Sequence, residues 1–469
     1  MHTIMQRIHE VDNMRFFFSR LPQPSKIMLT TERVKTVSII GLPIMGGMIS
    51  GVLLGLVDSA MVSSLGNAAL GAVGFSSFLA FVFLGLFYGF SIAVQATVAR
   101  RKGEGNLPAC GRSLGSAVVL ISISAPILSL LLYFAIPFIF PLINNDPEVI
   151  DIGVKYIRWL ILQAVFVGFI AANTGFWNGI GQSRIYIPSL IFMHLSNVLF
   201  NYIFIFGHFG APRMGAEGAG FATALSSIVG TGLFLFLGLR HGGAYHYMKE
   251  RPVWIELKSI LRLAIPAGLQ QVLDTLALTI TYSIVGLIGT MELACYSVLI
   301  NFINLVGLPA WGLGTAGATL VGQALGQKNI PEATQWAWDV IKLGMVGMFI
   351  LGIPFWIMPE TLLSIWIHDE QTRQLAIWPT RILGLMITFN GIGYMLSTML
   401  NGAGDVKRVT MVNLVTQWFL LVPGAYLLGP TLGFGLIGVW CLHQFGYRAG
   451  QAVIFAYFWR QGKWSRIII

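Results

Sequence analysis

Asp58 lies inside a run, Gly41 to Gly66, that is otherwise long and apolar enough to cross a bilayer. A carboxylate at the centre of such a run costs about 2.5 to 3.5 kcal/mol on insertion scales, so it needs a partner, a wet cavity or a function. Gly47, Gly51 and Gly55 recur every fourth residue and Asp58 follows three later, which puts all four on one stripe of a helix. The stripe predicts close approach of a neighbouring helix and an acid turned toward protein. Pro43 stands 15 residues before the acid (58 − 43 = 15), where the missing N–H lets a helix bend. The other deep acid, Asp274, follows Pro266 by eight residues (274 − 266 = 8), with Gln270 one turn before it and Thr281 two turns after on much the same face. A cation or proton site is one reading of Asp274; the other is an acid paired with Arg448, a base deep in HQFGYRAGQ. Asn197 and Asn201, one turn apart, join His194 in a polar stripe on the apolar run HLSNVLFNYIFIFG. The histidine reads as a packing or hydrogen-bonding residue. The Asn pair, taken alone, is also compatible with interhelical hydrogen bonds worth about 0.6 kcal/mol each.

The elements that must hold these residues are membrane helices. The chain is 55% hydrophobic and 10% charged with mean hydropathy +0.75, whereas soluble chains carry about 25% charge. At about 20 apolar residues per crossing, the 469 residues accommodate twelve helices. Apolar runs place them near 37–63, 73–99, 114–141, 156–178, 186–207 and 218–239, then 259–287, 293–321, 337–358, 378–401, 407–429 and 434–458. The expected organisation is a tail over 1–35, a first lobe over 36–240, a linker over 241–258, a second lobe over 259–459 and a short tail over 460–469. The fold class is therefore an all-α integral membrane protein with two pseudo-symmetric six-helix lobes.

The net charge of +10 invites a nucleic-acid reading, but the bases cluster in alternate loops rather than along one face. Arg7, Arg15, Arg20, Lys26, Arg33, Lys35, Arg100, Arg101, Lys102, Arg184, Lys249, Arg251, Lys258, Lys328, Lys407, Arg408, Arg460, Lys463 and Arg466 share one side. The opposite loops hold Asp146, Glu148, Asp151, Glu360, Asp369 and Glu370. The positive-inside rule then puts both termini in the cytoplasm, in a multi-pass protein of the plasma (inner) membrane. The first 35 residues lack an apolar segment of signal-peptide type, so no cleaved leader is expected. Cys110, Cys295 and Cys441 have neither ligand spacing nor a disulfide framework.

The halves repeat each other at one displacement. WNGIGQSR around Asn178 recurs as LNGAGDVK around Asn401 (401 − 178 = 223), and VSSLGNAALG from Val62 recurs as VGLIGTMELA from Val285 (285 − 62 = 223). The same shift carries YGFSIAVQATVARRKGEGN onto WGLGTAGATLVGQALGQKN, and Pro43 onto Pro266. Each half has an even number of spans, so the repeats are parallel and related by an axis along the membrane normal. Such lobes can rock around a central cleft.

VDSAMVSSLG, GQALGQKN, the NGIGQ and NGAGD repeats and GAEGAGFATALS, in that organisation, resemble the multidrug and toxic compound extrusion family over essentially the whole membrane region. The resemblance implies export of amphipathic, mostly cationic compounds in exchange for Na⁺ or H⁺. It also implies that Asp58 is the first-helix acid, with Pro43 at the matching bend. Where relatives bind the coupling ion in the amino-terminal lobe, the fifth and sixth helices supply further ligands, and the matching positions here are Asn197, Asn201 and Thr223. Several relatives carry an acid where Asn201 stands, so exchange of two ions through this lobe is not expected. Asp274 falls where some branches have a seventh-helix Glu, and with Gln270, Thr281 and Asn390 it is a candidate substrate or second cation site. Asn390 stands where one branch carries an acid, which argues against a full ion site in this lobe.

No cofactor is expected beyond a bound Na⁺ at Asp58, and a monomer is the expected state. A lipid-linked saccharide flippase would need bases in the cavity for pyrophosphate, and Arg448 is the one base deep in a span, Arg158 and Arg381 lying toward outer ends. A membrane enzyme would need a catalytic constellation, and the chain has no His-Glu-x-x-His or P-loop. A channel suits the doubled lobes less well than alternating access.

Overall fold

A computed structural model describes residues 29–469. Arg7, Arg15, Arg20, Lys26 and the rest of the expected tail up to residue 28 lie outside the described residues. The first lobe contains α1 (Thr31–Ser63), α2 (Asn67–Gly103), α3 (Leu107–Ile139), α4, α5 (Ile187–Phe206) and α6 (Ala216–His241). Here α4 is two segments, Pro147–Leu162 and Ala164–Ile180, meeting at 46°. The second lobe contains α7 (Trp254–Gly286), α8 (Thr290–Gly326), α9 (Ile330–Ile357), α10 (Glu370–Gly402), α11 (Val406–Thr431) and α12 (residues 435–461). Ten of these helices are long and apolar enough to cross a membrane and the bent α4 makes eleven. The twelfth, α12, is not among them, and it carries His443, Gln444, Arg448 and Gln451 within one stretch.

Helix boundaries repeat because their stop and start chemistry repeats. Asn106 accepts from the Ala109 N–H at the start of α3, and Asn329 accepts from the Glu332 N–H at the start of α9 (329 − 106 = 223), each with a proline in the first turn. Asp146 caps α4 and Asp369 caps α10 (369 − 146 = 223). Such oxygens satisfy N–H groups the helix itself leaves orphaned. After α4 and α10 the chain turns through Gly181 at φ +78° and Gly404 at φ +91° (404 − 181 = 223), which is why the NGIG and NGAG motifs end in glycine. The repeats part at the middle of α4, where buried Gln163 interrupts the helix and accepts from Ser227 Oγ at 2.8 Å. α10 runs unbroken. α11 and α12 instead contain wide π-helical turns at Thr416–Leu421, Leu427–Thr431 and Leu442–Ala449.

The lobes meet along the half of α2 that ends at the basic loops. A side chain at Gly89 would strike the backbone of Ala264 and Gly268 on α7, one at Gly103 the Gln323 carbonyl on α8, and one at Gly326 the Arg100 carbonyl. Gln95 donates to the Thr315 carbonyl at 2.9 Å and to Thr319 Oγ1 at 3.0 Å. Arg100 donates to the Ala403 carbonyl, and Arg101 reaches Glu256 on α7 at 3.3 Å. At the other end of α2, Gly71 and Gly74 face open space. The first turns of α1 belong to the other side: Ile40 and Ile44 pack in the second-lobe core and Gly41 lies on Gly312 and Ala316 of α8. Past Pro43, Gly47 lies against Ile187 and Leu190 of α5 while Met45 and Met48 still pack on the second-lobe core, so this stretch of α1 touches both lobes.

Candidate functional site

The expected first-lobe residues come together. Asn201 Nδ2 donates to Asp58 Oδ1 at 2.6 Å and to Asn197 Oδ1 at 3.0 Å. Asn197 Nδ2 in turn donates to Thr223 Oγ1 at 3.2 Å and Ser226 Oγ at 3.4 Å. The chain runs α1 to α5 to α6, with both asparagines fully buried. The short Asn201–Asp58 distance is that of a bond to a charged acceptor. Because the asparagines sit one turn apart on α5, one helix face aligns both amides between the acid and the α6 hydroxyls. Asn201 Oδ1 is buried with no hydrogen-bond partner among the described residues. Amide orientation follows the hydrogen-bond network, so turning this amide over would set Oδ1 beside the Asp58 carboxylate. Two oxygens from neutral amides, hydroxyls and one carboxylate fit a hard monovalent cation, and the carboxylate alone fits a proton.

One expectation for this lobe is corrected. The glycine stripe does not admit a neighbouring helix along its length: only Gly47 has a close neighbour, Leu190 at 3.1 Å, while Gly51 and Gly55 meet nothing within 4 Å. The stripe's period matched helix packing, but a period fixes a face and not what lies opposite it. The ring Nδ1 of His194 is buried with no hydrogen-bond partner among the described residues, which leaves its reading as a packing residue in place. Ser226 is the functional-cluster member not anticipated; its spacing of three from Thr223 on an apolar helix was the available signal.

In the second lobe Gln270 Nε2 donates to Asp274 Oδ2 at 3.4 Å, and Thr410 Oγ1 lies 3.3 Å from Gln270 Oε1. Thr281 is not drawn in, since its hydroxyl turns back to the Ala277 carbonyl at 2.8 Å. Asn390 donates instead to Gln444 Oε1 on α12 at 2.8 Å. Arg448 makes no ion pair with Asp274: among the described residues Asp274 has none, and Oδ1 of the acid and Nε of the arginine are each buried without a hydrogen-bond partner. That pairing, one of the two readings of Asp274 from sequence, is not formed; the Arg448 guanidinium carbon lies over the Tyr394 and Tyr447 rings, 4.8 and 4.7 Å from their centres. Thr281 is the repeat counterpart of Asp58 (281 − 58 = 223), and Leu420 and Gly424 are those of Asn197 and Asn201 (420 − 197 = 223; 424 − 201 = 223). The first-lobe cluster is therefore not duplicated.

Two six-helix lobes that meet at one end, each with a buried polar cluster, define a two-lobed multi-pass membrane carrier. The family model described as MatE matches residues 43–203 and 266–427, two stretches whose starts are displaced by the repeat spacing (266 − 43 = 223). The chain belongs to the MatE family; it is a transporter and not an enzyme. A probable multidrug resistance protein NorM of Thermotoga maritima is 25% identical over 460 residues, covering 96% of each chain. The multidrug resistance protein MdtK of Edwardsiella ictaluri is 23% identical over 407 residues, covering 84% of this chain and 87% of its own. Among solved structures, the outward-facing conformation of a multidrug resistance MATE family transporter aligns with TM-score 0.83 at 22% identity, over 92% of this chain and 96% of that one. A MOP superfamily transporter from Pyrococcus furiosus aligns with TM-score 0.82 at the same identity and coverage.

Proposed function

We propose that the protein is a secondary antiporter that exports amphipathic organic cations across the plasma membrane in exchange for H⁺ or Na⁺, coupled through Asp58. The observation that carries this reading is the hydrogen-bonded chain Asp58–Asn201–Asn197–Thr223 inside the first lobe. Neutralising the carboxylate by a proton or a cation removes the penalty for a buried charge, so loaded and empty lobes prefer different packings. The contacts of α1 with both lobes around Pro43 support a linkage between that change and the lobe interface. Asn197, Asn201 and Thr223 act as ligands or orienting groups, and Asp274 with Gln270 and Asn390 faces cargo or a second cation. The relatives' names, multidrug resistance proteins, support the cargo class. The alternation of basic and acidic loops supports cytoplasmic termini and a basic end closed toward the cytoplasm. The transporter works as a monomer, each chain carrying both lobes.

The test is efflux of a fluorescent cation from proteoliposomes under an imposed pH gradient or an imposed Na⁺ gradient, without ATP. Coupled efflux is expected under one of the two and is lost in Asp58→Asn. Unchanged coupling in that variant removes Asp58 from the mechanism, and a requirement for ATP removes the antiporter reading.

A further inference from the structure

We propose that Gln163, at the break in α4, is the positioning residue that passes occupancy of the Asp58 site on to the contact between the lobes. The inference rests on the coupling reading above and names the element through which it acts. Residues 162–164 are Leu-Gln-Ala, so neither proline nor glycine explains the 46° bend. The bend is held from outside the helix. Ser129 of α3 donates to the Ile161 carbonyl at 2.8 Å, and Ser227 of α6 donates to Gln163 Oε1 at 2.8 Å. Across the break the Phe166 N–H bonds three residues back, to the Gln163 carbonyl at 2.9 Å, where a regular helix bonds four back. Straightening restores the regular ladder and releases both side-chain supports, so α4 has two hydrogen-bonded arrangements for a bound ion to choose between. The second lobe has none of these parts. At the repeat spacing Gln163 matches Met386 in unbroken α10 and Ser129 matches Gly352 (386 − 163 = 223; 352 − 129 = 223), while Ser226 and Ser227 match Ala449 and Gly450 (449 − 226 = 223; 450 − 227 = 223). The bend and its supports occur in the lobe that holds the coupling acid.

Hydrogen bonds join this break to the acid. The chain from Asp58 reaches Ser226 Oγ through Asn197, and Ser226 donates to the Thr223 carbonyl at 2.9 Å. Ser227 Oγ lies 3.0 Å from that same carbonyl. A hydroxyl has one proton to give, so Ser227 bonds either Gln163 or the Thr223 carbonyl. Movement of Thr223 and Ser226 toward an occupied Asp58 site changes which of the two it serves. The other end of the inner segment, Ala164–Ile180, rests on the second lobe. Thr319 Oγ1 of α8 donates to the Asn178 carbonyl at 2.8 Å, and Gln323 Nε2 donates to the Gly179 carbonyl at 2.9 Å. These carbonyls stand about 22 Å along the helix from the break, so a change of about 10° at Gln163 moves them by about 4 Å and parts both bonds. The segment therefore has the ion cluster at its hinge and the opposite lobe at its tip.

The test uses the purified full chain with spin labels at Arg184→Cys in the first lobe and Gln327→Cys in the second, compared at low and high pH and in Na⁺ against K⁺. In wild type the coupling ion is expected to raise the melting temperature, as a ligand of the folded state does, and to change the distance between the labels. Asp58→Asn loses both effects. Gln163→Met, which installs the residue of the unbroken repeat, is expected to keep the ion-dependent rise and lose the distance change. In the same variant the factor by which the ion alters ethidium affinity falls from about fivefold or more to within about twofold. A glutamine with a merely structural role would lower the melting temperature and leave that factor alone. Ser227→Ala is expected to repeat Gln163→Met, and Ser227→Thr, which keeps the hydroxyl, to behave as wild type; this pair carries the test where Gln163→Met does not fold. A full distance change in Gln163→Met, loss of its ion-dependent rise as well, or equal behaviour of the two Ser227 variants each overturns the assignment and leaves coupling through Asp58 in place. No ion effect on either measurement in wild type overturns the coupling reading and the assignment together.

Discussion

Glu256→Gln tests whether the basic-loop end is a closed gate. Glu256 opens α7 in the second lobe, is 4% exposed, and accepts from Arg101 of α2 at 3.3 Å and from Ser113 of α3 at 3.5 Å. It therefore ties α7 to two helices of the other lobe through one carboxylate. Breaking a fully buried ion pair by deleting one partner costs about 3–5 kcal/mol. Here the stranded Arg101 keeps Glu104 at 3.1 Å and the Ile469 carbonyl at 3.0 Å, and its side chain is 19% exposed. The residual cost is that of one charged hydrogen bond, about 1–2 kcal/mol. Since that cost falls only on the state in which the lobes touch, the equilibrium moves about 5- to 30-fold toward lobes parted at this end. Spin labels at Arg184→Cys in the first lobe and Gln327→Cys in the second, both exposed positions, read the separation by pulsed electron resonance. The expected result is growth of a longer-distance population in Glu256→Gln, reproduced by Arg101→Gln and no larger in the double variant. An unmoved distance distribution in a protein that keeps its melting temperature would refute the argument that this pair holds the lobes together.

Glycine substitutions separate packing from mere periodicity. Gly55→Ala meets open space and is expected to leave the melting temperature unchanged or raise it by the helix propensity of alanine, about 1 kcal/mol at most. Gly175→Ala drives a methyl into the Ser91 carbonyl where α4 lies on α2, so a loss of about 1–3 kcal/mol is expected. Asn390→Leu strands buried Gln444 and should lower thermal stability by about 1–3 kcal/mol, with Gln444→Leu in the same protein recovering part of the loss. At the acidic-loop end, the Thr372 hydroxyl and then its backbone N–H hold the Asp369 carboxyl below its ordinary range. A depressed folded value means the cap stabilises α10 above the unfolded carboxylate range and is lost as pH falls through the folded one. Asp369→Asn should therefore flatten the acid limb of thermal stability against pH, and an unchanged limb would remove the cap from the account.

Much of the architecture follows from local chemistry that a linear reading captures. Apolar length sets the spans, the paired caps Asn106 and Asn329, Asp146 and Asp369 start the same helices in both halves, and Gly181 and Gly404 end α4 and α10. These signals act over three or four residues, so they survive without knowledge of neighbours. The site was partly legible for the same reason: an acid in an apolar run, and two amides one turn apart, announce polar faces that have to be buried somewhere.

Which faces meet depends on how each helix is rotated against its neighbours. Asp58 and Asn201 are 143 positions apart, and only the packing of α1 on α5 brings them to 2.6 Å. The same stretch of α1 leaves Gly51 and Gly55 uncovered, because sequence period specifies a stripe and not what lies opposite it. Arg448 is the clearest case. Depth and charge left a bond to Asp274 as one of two readings, but the guanidinium lies over tyrosine rings from two helices and the two groups form no ion pair among the described residues. Sequence alone thus determined the doubled bundle and its caps, which rest on contacts within a helical turn. The tertiary structure alone decided the partners of its buried charges, which rest on side chains contributed by separate helices.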